Sequence, residues 1–309
     1  MTVIVRELRP DATAEIEGFI RVRHAALPYV FFSPESLRHA ISLSRPGAHA
    51  RKLVAEEDGE IIGTAQVGLA HESPVPGQGF LNVYVDPART GRGAGTLLVR
   101  AAEEHLAAHG ATNLFAWVVD EPGNRAFAER HGYRPSRSAH FLRLDLANTP
   151  LPPLQGPPPG VELRTAADFA DDPRPLFALD AAVAADEPGD IDIEFTDYEA
   201  WVEETWRYPH LDLELTSVAV ADGRPVAFSV AHTNGAGRYG TGMTGTARDH
   251  RGRGLAKLVK NDSLHRARAA GYTEAYTGND SDNGPMLAIN KWFGYEIRAT
   301  EVRYVRALG

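Results

Sequence analysis

The run Arg251-Gly252-Arg253-Gly254-Leu255-Ala256 holds the residue types best suited to chemistry in this chain of 309 residues. It follows a strand-like segment at 240–247 and opens a helix-compatible segment ending near Ala270. Glycines at 252 and 254 keep Cβ atoms off the chain, and the first turn of a helix leaves several N–H groups without intrahelical partners. The helix dipole adds partial positive charge at the same end. A strand, a glycine turn and a helix start therefore suit a diphosphate. A tight turn with no ligand would use the same residues, so the surrounding pattern has to separate the two readings.

That pattern is a repeat. Thr90-Gly91-Arg92-Gly93-Ala94-Gly95 precedes Leu97, Leu98, Ala101 and Leu106 at helical spacing, with Gly110 as the stop. Gly91 and Gly252, Gly93 and Gly254, and Gly110 and Gly271 are each 161 residues apart, and Gly132-Tyr133 stands 162 before Gly294-Tyr295. The hairpin glycines Gly59 and Gly223 are 164 apart. Around them the order of elements repeats. Residues 3–8 read as a strand, Asp11 and Thr13 as caps of a helix through Val22, and 33–41 as a second helix. Residues 52–56, 61–69, 80–85 and 114–119 follow as strands, 124–131 as a short helix and 141–146 as a closing strand. In the second half, 161–163 is a strand, 166–183 and 195–206 are helical, and 213–220, 226–231 and 239–247 are strands. Between the halves, residues 148–160 are so rich in proline that they read as a semi-rigid linker. The expected division is 1–147, the linker 148–160, and 161–309.

Composition narrows the function. Hydrophobic residues make up 43% and charged residues 24%, enough to bury a core. A net charge of −9 opposes general binding to nucleic acid or anionic membrane, no segment has the apolar length of a membrane span, and the start lacks a signal peptide's apolar run. The absence of Cys excludes disulfides, thiolate metal sites and a cysteine nucleophile, and fits a cytoplasmic protein. No His-Glu-x-x-His or other compact ligand spacing is present, so no metal is expected.

On these residues the second half resembles the GNAT superfamily of N-acetyltransferases. The superfamily signature is Arg or Gln, two residues, Gly, one residue, then Gly or Ala, and Arg251 to Ala256 meets it throughout. The stretch from Asn279 to Asn290, followed by Lys291-Trp292-Phe293-Gly294-Tyr295, is similar to the second motif. The first half resembles the superfamily from Val83 to Tyr133, and the tandem layout resembles that of the mycothiol synthases, whose substrate is not carried over. The resemblance implies an α/β fold of two GNAT-like domains, each a mixed sheet of about seven strands flanked by helices. Each sheet would be splayed between the strand before the motif and the strand after its helix, here 241–247 and 273–277.

Acetyl-CoA would lie in that splay as acyl donor. By resemblance, the amides of Arg251, Gly252, Arg253, Gly254, Leu255 and Ala256 hold its diphosphate. The main chain of Met243, Thr244, Gly245 and Thr246 pairs with pantetheine and polarises the thioester carbonyl. Arg248, Arg251, Arg253, Lys257 and Lys260 form a local positive patch. Asn283 either touches pantetheine or caps its helix. Many relatives place a tyrosine four residues before the Gly-aromatic pair to protonate the leaving thiolate, whereas this chain has Asn290, and Ala128 in the first half. A second cofactor site would involve Val83, Val85, Thr90, Gly91, Arg92, Gly93, Ala94 and Gly95, with Thr90 replacing the arginine. The first half is therefore expected to be degenerate or auxiliary and the second catalytic.

The base is left open among Asp186, Glu187 and Glu194, which lie in a region that usually faces the acceptor, with His232 and His265 as further options. The expected activity is transfer of acetyl from acetyl-CoA to the amine of a small molecule, by direct attack in a ternary complex. A non-catalytic acyl-CoA sensor and a protein N-acetyltransferase are the alternatives.

Overall fold

A computed structural model describes residues 2–71, 73–186, 197–235 and 237–308. In chain order the first half holds β1 (Val3–Glu7), α1 (Thr13–Ala26), α2 (Pro34–Ser42), β2 (Arg51–Glu57), β3 (Glu60–Leu69), β4 (Gln78–Val85), α3 (Ala94–Ala108), β5 (Asn113–Val119), α4 (Pro122–Arg130) and β6 (Arg134–Asp145). The second half holds β7 (Val161–Thr165), α5 (Arg174–Ala184), α6 (Tyr198–Trp201) continued by a π-turn at Val202–Trp206, β8 (Ser217–Ala221), β9 (Arg224–Thr233), β10 (Arg238–Thr246), α7 (Leu255–Ala269), β11 (Glu274–Asp280), α8 (Gly284–Phe293) and β12 (Glu296–Ala307).

Two compact units result, and their limits differ from the break that the prolines mark. The first takes residues up to 139 and from 299 on; the second runs from 140 to 298. β6 and β12 are thus divided between them, so each unit draws on seven strands. In the first unit the strand order is β1-β2-β3-β4-β5-β12, and in the second β6-β11-β10-β9-β8-β7. β12 pairs antiparallel with β5 over seven residues, from Glu301 opposite Val119 to Ala307 opposite Asn113. The C-terminal strand therefore completes the first half's sheet. Local sequence carries no mark of this exchange, because β12 has the same alternation wherever it pairs.

Period-two alternation sends successive side chains to opposite faces. In the first unit Leu53 and Ala55 pack with α3 residues Leu98, Ala102 and Leu106, whereas Val54 packs with Ile16, Phe19 and Leu37 of α1 and α2. In the second unit Ala219 and Ala227 meet Leu255 and Val259 of α7, while Val218, Val220 and Phe228 meet α5 and α6.

Some local expectations change. Ala12 is the N-cap residue of α1 and no side chain caps it, so neither Asp11 nor Thr13 serves. Ser33 and Ser36 form a reciprocal capping box on α2. The helical stretch at 166–183 divides into a short 3-10 turn, Ala166–Phe169, and α5, broken at Pro173. The strand expected from 213 begins at Ser217, because Asp212 ties the preceding turn through Leu215 N at 3.0 Å and Thr216 Oγ1 at 2.7 Å.

With β12 removed, β5 would present an unpaired edge. Residues 1–147 produced alone are expected to show no cooperative thermal unfolding by circular dichroism, whereas the whole chain unfolds cooperatively. A sharp transition in the fragment would contradict the strand exchange.

Candidate functional site

The site begins where two parallel strands separate. β10 and β11 pair only from Arg238 opposite Glu274 to Thr241 opposite Thr277, yet β10 continues to Thr246 and β11 to Asp280. A one-residue bulge follows in β10: Thr241 pairs with Ala231 and Thr244 with Ser229, so Gly242 and Met243 occupy the place of one residue. From Gly242 on, the β11-facing edge of β10 has no strand partner among the described residues. Met243, Thr244, Gly245 and Thr246 all lie on this stretch. Met243 packs into the α5–α6 cluster, Thr244 Oγ1 lies 3.1 Å from Ser229 Oγ, and a Cβ on Gly245 would come within 2.1 Å of Val183 Cγ1. Any larger residue at 245 would overpack that contact, at a cost of about 1–3 kcal/mol.

Directly after β10 comes the glycine loop. Arg251 is extended at φ −68° and ψ 162°, and Gly252 and Gly254 take φ of 74° and 79°, a region that disfavours side chains. Among the described residues nothing lies within 4 Å of where their Cβ atoms would be, whereas the Arg251 N–H donates to Arg248 O at 3.4 Å. The first intrahelical bond of α7 runs from Leu258 N to Gly254 O, which leaves the N–H groups of Leu255, Ala256 and Lys257 without intrahelical acceptors. Such a turn fits an anion. Leu255 is buried and Arg253 exposed.

The loop's arginines are braced by a residue first considered as a base. Asp186 accepts from Arg248 Nε at 3.0 and 2.9 Å, and also from Arg251, whose Nε donates to Thr246 O at 3.1 Å. These bonds, Arg248's first, hold the Asp186 carboxyl well below the usual range. So acidic a group is a poor base near neutral pH. Glu187 and Glu194 lie outside the described residues. Asp180, which sequence reasoning missed, has the opposite character: burial raises its pKa although Trp201 Nε1 donates to it at 2.7 Å. It borders an apolar recess with Leu176, Trp201, Trp206, Phe228 and Val230. Its signal in the sequence was position, one residue from Leu179 on the face that carries Leu176 and Val183 inward.

The remaining candidates make contacts within the fold. Asn283 caps α8, accepting from Met286 N at 3.2 Å. His265 Nε2 is 2.9 Å from Pro152 O. His232 lies against Gly242, and burial followed by the nearby His210 lowers its pKa to about 4. Lys257 lies over the Trp292 ring at 4.6 Å. Lys260 is not part of an exposed patch, because it is wholly buried, with Nζ 2.6 Å from Asn290 Oδ1.

The first half repeats the backbone without the same surroundings. Thr90 has φ −67° and ψ 163°, Gly91 and Gly93 have φ of 77° and 86°, and the first bond of α3 runs from Leu97 N to Gly93 O. β4 and β5 likewise pair only to Phe80 opposite Phe115. Here, however, Asn82 Oδ1 reaches across and accepts from Trp117 N at 3.0 Å. Arg92 donates to the buried Glu57 at 2.6 Å, and Arg89 to Glu60 at 2.5 Å. Phe127 covers Gly95, where a Cβ would meet its ring at 3.2 Å. Val83 and Val85 pack into the core beside Ala94.

Comparison with known proteins places these features in context. The profile of the acetyltransferase (GNAT) family matches residues 19–133 and 179–295. A mycothiol acetyltransferase of Nocardia farcinica is 32% identical over 280 residues, covering 88% of each chain. One from Clavibacter michiganensis is 30% identical, covering 83% of this chain and 84% of its own. Among solved structures, a tandem GNAT protein of the clavulanic acid biosynthesis pathway superposes with a TM-score of 0.75 at 20% identity, covering 100% of this chain and 99% of that one. A GCN5-related N-acetyltransferase from Sphaerobacter thermophilus gives 0.72 at 23% identity, covering 99% and 95%.

His232 offers a pH test. Its folded pKa, about 4, lies below the unfolded value near 6.5, so its contribution is complete above about pH 6.5 and is lost as pH falls toward 4. Urea unfolding at pH 7 and at about pH 4.5 is expected to show a larger loss for the wild type than for His232→Phe. Equal losses would show that the ring is already protonated.

Proposed function

The chain belongs to the acetyltransferase (GNAT) family and is an acetyl-CoA-dependent N-acetyltransferase; from that premise we propose that its second half carries the reaction and its first half is auxiliary. The observation that carries this reading is the parting of β10 and β11 just before a glycine turn and a helix start whose first N–H groups have no intrahelical acceptor. The first half has an equivalent parting, but the Asn82 bridge crosses it, and its loop arginines face Glu57 and Glu60. Carboxylates beside a diphosphate site oppose the ligand's charge. In the second half Asp186 serves Arg248 and Arg251 and Asp249 pairs with His250, with Arg253 and Lys257 also in the loop and first turn. The local field there favours an anion.

In this reading the diphosphate of acetyl-CoA takes the amides from Arg251 to Ala256, and pantetheine enters the splay beside Met243 to Thr246. A backbone N–H on the free edge of β10 polarises the thioester carbonyl and stabilises the tetrahedral oxyanion, because it is fixed before the charge develops. The acceptor is the primary amine of a small molecule. It attacks the carbonyl carbon directly in a ternary complex, losing its proton to a base or to water. Asp186 orients arginines and does not act as that base. Asp180, with its raised proton affinity, suits the role better and stands on the α5 face that meets Gly245 through Val183. The relatives named for mycothiol make a mycothiol-related amine the first acceptor to test. The reaction is assigned to the cytoplasm, which suits a chain with no cysteine.

Gly93 and Gly254 share one backbone conformation, so a valine strains both loops alike and any difference in ligand affinity reports the site. Gly254→Val is expected to weaken acetyl-CoA binding at least ~10-fold by calorimetry and to abolish thiol release with an accepted amine, whereas Gly93→Val changes either by less than about threefold. Arg251→Ala should fall between them. Equal losses from the two valines would overturn the division of labour, and acetyl-CoA binding without thiol release over a broad amine panel would favour a sensor.

A further inference from the structure

Beneath the loop helix an amine is buried with no anion against it among the described residues. Lys260 has no exposed surface, and its Nζ donates to Asn290 Oδ1 at 2.6 Å and lies 4.9 Å from the centre of the Tyr295 ring. An ammonium without a counter-charge is costly to bury, and packing alone would be better served by methionine or leucine. Of the three hydrogens an ammonium carries, one serves Asn290.

The amine's location gives it a use. Asn290, itself fully buried, donates through Nδ2 to Asn279 Oδ1 on β11, two residues beyond Thr277, the last residue of that strand paired with β10. On the other side, the Tyr295 hydroxyl and Thr241 Oγ1 are both buried without a hydrogen-bond partner among the described residues, Thr241 being the last residue of β10 paired with β11, and Thr277 Oγ1 donates to Thr241 O at 3.3 Å. Lys260 is therefore held at the apex of the splay, between α7, α8 and the two diverging strands. Two other titratable groups of this region, Tyr239 and Asp262, are engaged. The Tyr239 hydroxyl lies 2.7 Å from Ser263 Oγ, and Asp262 accepts from Ser217 and from Arg266 Nε, the latter at 2.7 Å.

We propose that Lys260 gives a proton to the thiolate released from acetyl-CoA, and that Asn290 is the positioning residue that holds its amine at the apex. This rests on the reading that the second half carries the transfer. The acceptor nitrogen forms the C–N bond, the C–S bond breaks with its electron pair going to sulfur, and sulfur takes a proton from the Lys260 ammonium. The neutral amine that remains regains a proton from water, while the proton lost by the acceptor nitrogen goes to Asp180 or to water. Acetyl-CoA and amine thus become amide and free thiol. Burial lowers the Lys260 pKa to about 7, below the ~8.5 of an ordinary thiol, so transfer to the thiolate runs downhill and recharging occurs near neutral pH.

The test uses the full chain and an accepted amine, with kcat measured from about pH 6 to 9, where the lysine and an ordinary thiol titrate, and acetyl-CoA affinity measured by calorimetry. Lys260→Met removes the amine at similar volume, and Lys260→Arg keeps a charge that cannot release its proton. Both are expected to lower kcat about 100-fold, to leave affinity within about threefold, and to lack the wild type's decline in kcat above neutral pH. Asn290→Asp sets a carboxylate on the ammonium and should move that decline to higher pH by at least ~1 unit, which a purely structural asparagine would not do. A Lys260→Met enzyme that keeps its kcat and its alkaline decline, while Gly254→Val has none, would overturn the proposal and leave the second-half reading intact. Turnover that survives Gly254→Val would remove that reading, and the proposal with it.

Discussion

Everything in the second unit turns on two parallel strands that stop sharing hydrogen bonds after Thr241 and Thr277. A buried strand edge normally has its N–H and C=O groups paired, so an open edge inside a sheet must be enforced and must have a purpose. Three features enforce it. The bulge at Gly242 and Met243 turns β10 away, Val183 presses on Gly245 where no side chain fits, and α8 sets Asn290 against Asn279 beyond the last pair. The freed edge then runs directly into a glycine loop and a helix start whose first N–H groups, at Leu255, Ala256 and Lys257, have no intrahelical acceptor. On the proposed reading, one interruption in a ladder supplies both a donor row and an anion cradle.

The duplication supplies an internal control. Both loops share their backbone angles to within about ten degrees at the residue before the first glycine and at the second glycine, so conformation alone does not distinguish the halves. Side chains do. Asn82 crosses the first splay where Met243 leaves the second open, Phe127 covers Gly95, and the arginines of the first loop end on glutamates, one of them buried. A fold can keep a binding-site scaffold while a few contacts fill it, because the scaffold also forms the core between α3 and its sheet.

Much of this was legible beforehand. The repeat of glycines, the order of elements and the family signature gave the duplicated α/β fold, because positive-φ turns and helix starts depend on local chemistry. Three things were not legible. The exchange that gives β12 to the first unit depends on pairing choice, which alternation does not encode. Asp186 looked like any surface acid; only the folded chain sets it against Arg248 and Arg251, more than 60 residues away. Lys260 was counted with the surface charges, although Leu264 and Ala267, four and seven residues on, already placed it on the buried face of α7.

On the proposed reading the open splay of the second unit, and not its counterpart, receives the acyl donor. A crystal structure of the full chain with acetyl-CoA decides between the two. Pantetheine is expected between β10 and β11, the diphosphate on the amides of Arg251 to Ala256, and the thioester beside Met243 to Thr246. Acetyl-CoA bound between β4 and β5, with the β10–β11 splay empty at saturating ligand, would contradict it.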